Sequence, residues 1–161
     1  MVDISHEMMR IGEKYEKSIG RGRIAWYHAD VSNSLDRLSL GPCDTVIANG
    51  VFDHAHDVEE LEGMWRNAAS CLKPGGQLVA NRNNPLSHAA VEGKYDVTFT
   101  DFEEIPGGLS FEYRMMTEPP LIFESIALEA CYMGSLGILK QFFEDFQNFP
   151  WQGTPVVKAD P

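Results

Sequence analysis

Apolar positions along the chain change period several times, and each change marks an element. Val2 to Ile4 reads as the tail of a buried strand that delivers an acid, Asp3. Ser5 follows as a helix cap with Glu7 in the first turn. Met8, Ile11, Tyr15 and Ile19 then recur at helical spacing, and Gly20 ends the run. Arg23 to Ala29 predicts a second strand, closed by a second acid, Asp30. In "SNSLDRLSLGP", Ser32 to Ser34 offer caps, Leu35 and Leu38 share a face, and Gly41-Pro42 stops a short helical segment. Val46, Ile47 and Ala48 are continuously apolar, the pattern of a strand buried on both faces.

The clearest helix comes next. Asp57 and Glu60 form a D-x-x-E capping box. Leu61, Trp65, Ala68 and Leu72 make one stripe that Met64 widens. Lys73 is expected in the last turn, with Pro74-Gly75-Gly76 as the stop, and "QLVANRNNP" returns as a strand. Strand–helix alternation through residue 82 implies a parallel sheet with right-handed crossovers. Beyond it, Phe111, Tyr113 and Met115 alternate with Glu112 and Arg114, and Pro106-Gly107-Gly108 supplies a turn, so this part reads as antiparallel strands. The fold class is therefore α/β. One domain is expected over residues 1–161, with a parallel part at 1–84 and an antiparallel part at 85–161. "GILKQFFEDFQNFPW" suits a helix or a strand equally. Its aromatics, Phe142, Phe143, Phe146, Phe149 and Trp151, read as packing surface that is partly exposed.

Composition narrows the setting. Of the 161 residues, 43% are hydrophobic, enough for a core. The net charge of -11 argues against nucleic acid or an anionic membrane as partner, since both need Lys/Arg patches. Arg21 and Arg23 are the one basic cluster. No apolar stretch approaches a membrane span. Cys43, Cys71 and Cys131 are widely spaced and odd in number, which fits reduced thiols in the cytoplasm. Asp53, His54, His56 and Asp57 resemble a metal cluster. However, Asp57 is needed as the helix cap and H-x-H lacks a remote third ligand, so no metal is expected. His54 or His56 is better placed as a general base toward an acidic hydroxyl.

Three stretches together, "VDIS-HEMM", "ADVS" and "CDTVIANGVFDHAHDVEELEGMWRNAASCLKPGGQLVANRNN", resemble the class I S-adenosylmethionine-dependent methyltransferases that act on small molecules. The likeness runs over about residues 1–84. It implies a Rossmann-like sheet, mostly parallel, with antiparallel strands toward the C-terminus. It also implies S-adenosyl-L-methionine as cofactor. Asp3 would take the ribose hydroxyls and Asp30 the adenine amine, with Ile4 and Val31 flanking the ring. Asn49, Gly50 and Val51 would line the pocket at the end of the central strand, with Phe52 as a wall. At each position a plain reading stays open: a solvated acid, an N-cap or turn, core packing, or an ordinary strand-to-helix turn. Asn81, Arg82, Asn83 and Asn84 line a substrate mouth or cap a loop.

In that family a first strand and a glycine-rich loop precede the strand that "VDIS" resembles. The only G-x-G here, Gly20-Arg21-Gly22, falls after a helix and before a strand, so it reads as a loop. The first strand is thus expected to be missing. The sheet then closes by pairing the second strand with the fourth, is completed by a partner chain or second copy, or belongs to a copy truncated at both ends. The leading expectation is methyl transfer from S-adenosylmethionine to an oxygen, nitrogen or carbon of a small molecule. A non-catalytic protein acting through a partner, and a cyclase or isomerase using His54 or His56, stand as alternatives.

Overall fold

Ser5 caps the first helix as the sequence predicts: its hydroxyl accepts the Met8 N–H at 3.2 Å. That helix is α1 (His6–Ser18), between β1 (Val2–Asp3) and β2 (Tyr27–His28), the latter much shorter than the expected Arg23 to Ala29. Leu35 to Leu38 forms only a short 3-10 turn, Asp36–Leu38. β3 (Cys43–Ala48), α2 (Val58–Ser70) and β4 (Leu72–Ala80) follow. The antiparallel part comprises β5 (Val97–Ile105), β6 (Gly108–Met115) and β7 (Leu121–Leu128), then short helices α3 (Glu129–Tyr132) and α4 (Leu136–Leu139). This computed structural model describes residues 1–81, 84–86, 93, 96–132, 136–147 and 149. Arg82, Asn83 and Trp151 lie outside the described residues.

The parallel strands form two separate pairs. β1 pairs β2 in parallel, Val2 with Tyr27 and Asp3 with His28. β3 pairs β4 in parallel, in register from Thr45–Gln77 to Ala48–Ala80. Among the described residues no ladder joins β1 to β3, so the second and fourth strands of the resemblance do not close directly on one another. β5, β6 and β7 form a third, antiparallel sheet. Pro106 and Gly107 make its turn between the Ile105–Gly108 rung, and Phe99, Phe111, Tyr113 and Phe123 stack along it at 4.8–5.0 Å.

The core gathers on α2. Asp57 caps it by accepting the Glu60 N–H at 2.9 Å, half of the expected capping box. The other half is displaced: the Glu60 carboxylate takes the N–H of His56, not that of Asp57. Leu61, Met64 and Trp65 are buried, with Ala48, Phe52, Ala55, Leu128 and Ala130 around them. Phe142 and Phe143 pack against this cluster, and the Arg66 guanidinium lies 5.9 Å from the Phe142 ring. Over the described residues 137–147 the segment is thus a short helix followed by turns, neither a long helix nor a strand.

Three expectations change. The helix does not run to Lys73: it ends at Ser70, and Lys73 to Gly76 lie in β4. The Cys71 carbonyl accepts the Cys43 N–H at 2.8 Å, so strand pairing captures the chain before the Pro-Gly-Gly stop. Ile47 is 75% exposed and its rung partner Val79 is 54% exposed, so β3 is covered on one face only. Finally, Met8, Ile11, Tyr15 and Ile19 point outward, while Met9 and Glu16 turn in. No described helix is long and apolar enough to cross a membrane.

Candidate functional site

In a parallel pair both strands end at the same side, so Asp3, the last residue of β1, and Asp30, two residues beyond β2, both follow the carboxyl end of one strand pair. The Asp3 Oδ1 accepts the Ser5 N–H at 2.7 Å, which makes the tight turn into α1. Its Oδ2 has no partner among the described residues. Asp30 is more heavily engaged. Its Oδ1 accepts the Ser32 hydroxyl at 2.7 Å and the Ser32 N–H at 2.8 Å, and Oδ2 accepts the Asn33 amide at 2.9 Å. The Ser32 hydroxyl and N–H chiefly hold its pKa below the usual carboxylate value. Asp30 thus makes the turn that its sequence context suggests, and a carboxylate oxygen can accept more than one donor.

The loop after Asp30 is clamped by α2. Asn67 donates from its amide to the Val31 carbonyl at 2.9 Å and the Asn33 carbonyl at 2.6 Å. One turn earlier, a Cβ on Gly63 would fall 2.3 Å from the Ser32 carbonyl oxygen, so only glycine lets the loop approach. Neither residue was singled out from the sequence. A glycine inside a strongly helical stripe was the available signal.

At the end of β3, the Gly50 N–H donates to the Asn81 Oδ1 at 2.5 Å, and the Asn81 N–H continues the ladder to Ala48. Gly50 has φ +64 with open space where a side chain would stand. Asn49 is exposed, and Val51 and Val31 both pack on the core. Phe52 is not a pocket wall: it is 5% exposed and meets Trp65 edge-on at 6.2 Å. Ile4 is 66% exposed, so the core does not hold it.

His54 and His56 are both exposed. The His56 Nδ1 lies 3.0 Å from the Glu60 Oε2, which also takes the His56 N–H at 2.9 Å. A carboxylate only accepts, so Nδ1 is the donor in this contact. Among the described residues no three His, Cys, Asp or Glu side chains could hold a metal ion. The structure thus assembles two groups: Asp3 and Asp30 following the ends of one strand pair, and Gly50, Val51 and Asn81 at the end of the other. Two carboxylates following adjacent strand ends can accept from hydroxyl or amine donors.

A family model described as a methyltransferase domain matches residues 1–78. No curated protein matches the chain. Among solved structures, the glycopeptide N-methyltransferase MtfA complexed with S-adenosyl-L-methionine matches with TM-score 0.57 and 17% identity over 87% of this chain. The CcbJ methyltransferase from Streptomyces caelestis matches with TM-score 0.54 and 18% identity, also over 87%. The chain spans 59% and 61% of those two chains, respectively. These likenesses establish the class I, Rossmann-like methyltransferase fold.

Proposed function

We propose, from a chain that carries a methyltransferase-domain match over residues 1–78 on the class I methyltransferase fold, that it serves S-adenosylmethionine-dependent methyl transfer to a small molecule. The observation that carries this reading is the pair Asp3 and Asp30 at the ends of adjacent parallel strands. The Asp3 Oδ2, without a partner among the described residues, suits the ribose hydroxyls, and the Asp30 carboxylate suits the adenine amine beside its Ser32 and Asn33 donors. Ile4 and Val31 offer apolar contact to the ring between them. Gly50 leaves room at the end of β3, and Asn81 fixes that loop. When bound, the cofactor supplies a methyl group on a sulfonium, and alignment of the acceptor with it supplies most of the rate.

His56 is the favoured base. Glu60 orients its ring and leaves Nε2 free to take a proton from an acceptor hydroxyl, whereas the His54 ring has no such partner among the described residues. The cytoplasm is the setting that fits, with Cys43 and Cys71 as free thiols. A second reading rests on the edges of β1 and β3, which have no further strand partner among the described residues, and on exposed Ile47 and Val79. In it, a partner chain or a second copy completes the sheet, and concentration-dependent unfolding is its test.

Calorimetric titration with S-adenosylhomocysteine tests the main reading. Binding is expected, weakened at least about tenfold by Asp3→Ala, the order of one lost charge-assisted hydrogen bond. A folded chain that takes up none, or one indifferent to Asp3→Ala, contradicts it.

A further inference from the structure

A third polar side chain shares the strand pair with Asp3 and Asp30. His28 is the register partner of Asp3 in the β1–β2 ladder, and partners on adjacent strands send their side chains to the same face. Its Nε2 lies 2.9 Å from the Ile4 carbonyl oxygen. A carbonyl only accepts, so Nε2 carries the proton and His28 donates. The last backbone rung of this ladder runs from the Ala29 N–H to the Asp3 carbonyl at 3.1 Å. His28 therefore extends the ladder by one residue, with a side chain taking up the next carbonyl. His6, the first residue of α1, packs edge-on against the His28 ring, with centroids 5.3 Å apart at 72°.

These contacts converge on the turn between β1 and α1. Ile4 sits at its centre with its side chain exposed, so packing does not fix it. Two bonds do: Ser5 N–H to Asp3 and His28 to the Ile4 carbonyl. The first sets the Asp3 carboxylate against its own turn, and the second ties that turn to the strand that delivers Asp30.

We infer that His28 is a positioning residue for the nucleoside: through the Ile4 carbonyl it fixes the turn that aims the Asp3 carboxylate and places the Ile4 side chain. This rests on the methyltransferase reading above. Its requirement is a donor of the right reach, not an imidazole as such. Glutamine supplies that donor from its side-chain amide, and alanine does not.

The test is calorimetric titration of the full chain with S-adenosylhomocysteine, for the unaltered protein, His28→Ala and His28→Gln, with thermal unfolding of each. His28→Ala is expected to weaken binding about tenfold, and His28→Gln to restore it to within about threefold, the scale of one net hydrogen bond. Unfolding midpoints should fall by no more than about 4 °C, the scale of one net hydrogen bond, because the exposed His28 ring leaves the core untouched. An unaltered chain that binds while His28→Ala binds equally well overturns the inference alone. Weak binding that His28→Gln does not restore also overturns it. An unaltered chain that binds nothing overturns the functional reading, and this inference with it.

Discussion

Two strand–helix–strand halves of this molecule share one grammar and differ in what they bury. In β3–α2–β4 the helix stripe of Leu61, Met64 and Trp65 is inside, closed by Phe52, Leu128 and Phe142. In β1–α1–β2 the equally regular stripe of Met8, Ile11, Tyr15 and Ile19 is 46–66% exposed. Polar contacts hold that half instead. The Glu16 carboxylate accepts the Arg23 N–H at 2.6 Å, the Ile24 N–H at 2.9 Å and the Trp26 indole N–H at 3.2 Å. Trp26 then lies over Gly12 of α1. The comparison teaches that periodicity reports a helix and its apolar face, but not whether anything covers that face. The half resting on hydrogen bonds also carries Asp3 and Asp30, the proposed nucleoside acids, whose turns are built by local side-chain bonds.

The largest break in the comparison should come from Leu61→Ala. Its side chain is fully buried, and such truncations cost about 2–5 kcal/mol, readable as a lowered urea midpoint. Gly63→Ala comes next. Its Cβ would press on the Ser32 carbonyl, and an overpacking cost of about 1–3 kcal/mol is expected, with the Asp30 loop displaced. Asp57→Ala should cost about 1 kcal/mol by removing the α2 cap. At the other extreme, Ile11→Ser on the exposed stripe should shift stability by less than about 0.5 kcal/mol. A loss as large as that of Leu61→Ala would mean the stripe is covered in solution.

Glu16 sharpens the contrast through pH. Backbone hydrogen bonding from Arg23, aided by Trp26 and Ile24, lowers its pKa below the ordinary 4.5. A depressed carboxylate contributes stability that is present above its unfolded value and lost as pH falls through its folded value. The Trp26 indole N–H should therefore stay protected at neutral pH and lose protection under acid, below pH 4.5. Glu16→Gln should flatten that dependence, as followed by NMR of the indole proton. Unchanged acid sensitivity would remove Glu16 from this role.

Much of the fold was legible where one residue settles one local question. Ser5 and Asp57 cap their helices, and Pro106-Gly107 turns β5 into β6. The long α2 extension failed because Lys73 and Pro74 look like a helix end, yet the Cys71 carbonyl already accepts the Cys43 N–H and Leu72 already opens β4 opposite Cys43. Tertiary pairing there overrides local punctuation. In the site, the acids were visible as strand-end residues, whereas their supports were not. Glu16 reads as one more solvated charge on α1, Asn67 as a polar position on α2, and His28 as an ordinary strand residue. Each acts on backbone 7 to 36 residues away, a separation that no periodicity encodes.

The most direct test of the account is an amide chemical-shift map of the labelled chain titrated with S-adenosylhomocysteine. The account predicts shifts concentrated at 3–5, 30–33 and 49–51, the turns that follow the two strand pairs. Binding that perturbs the exposed face of α1 and leaves those three turns unmoved would contradict it.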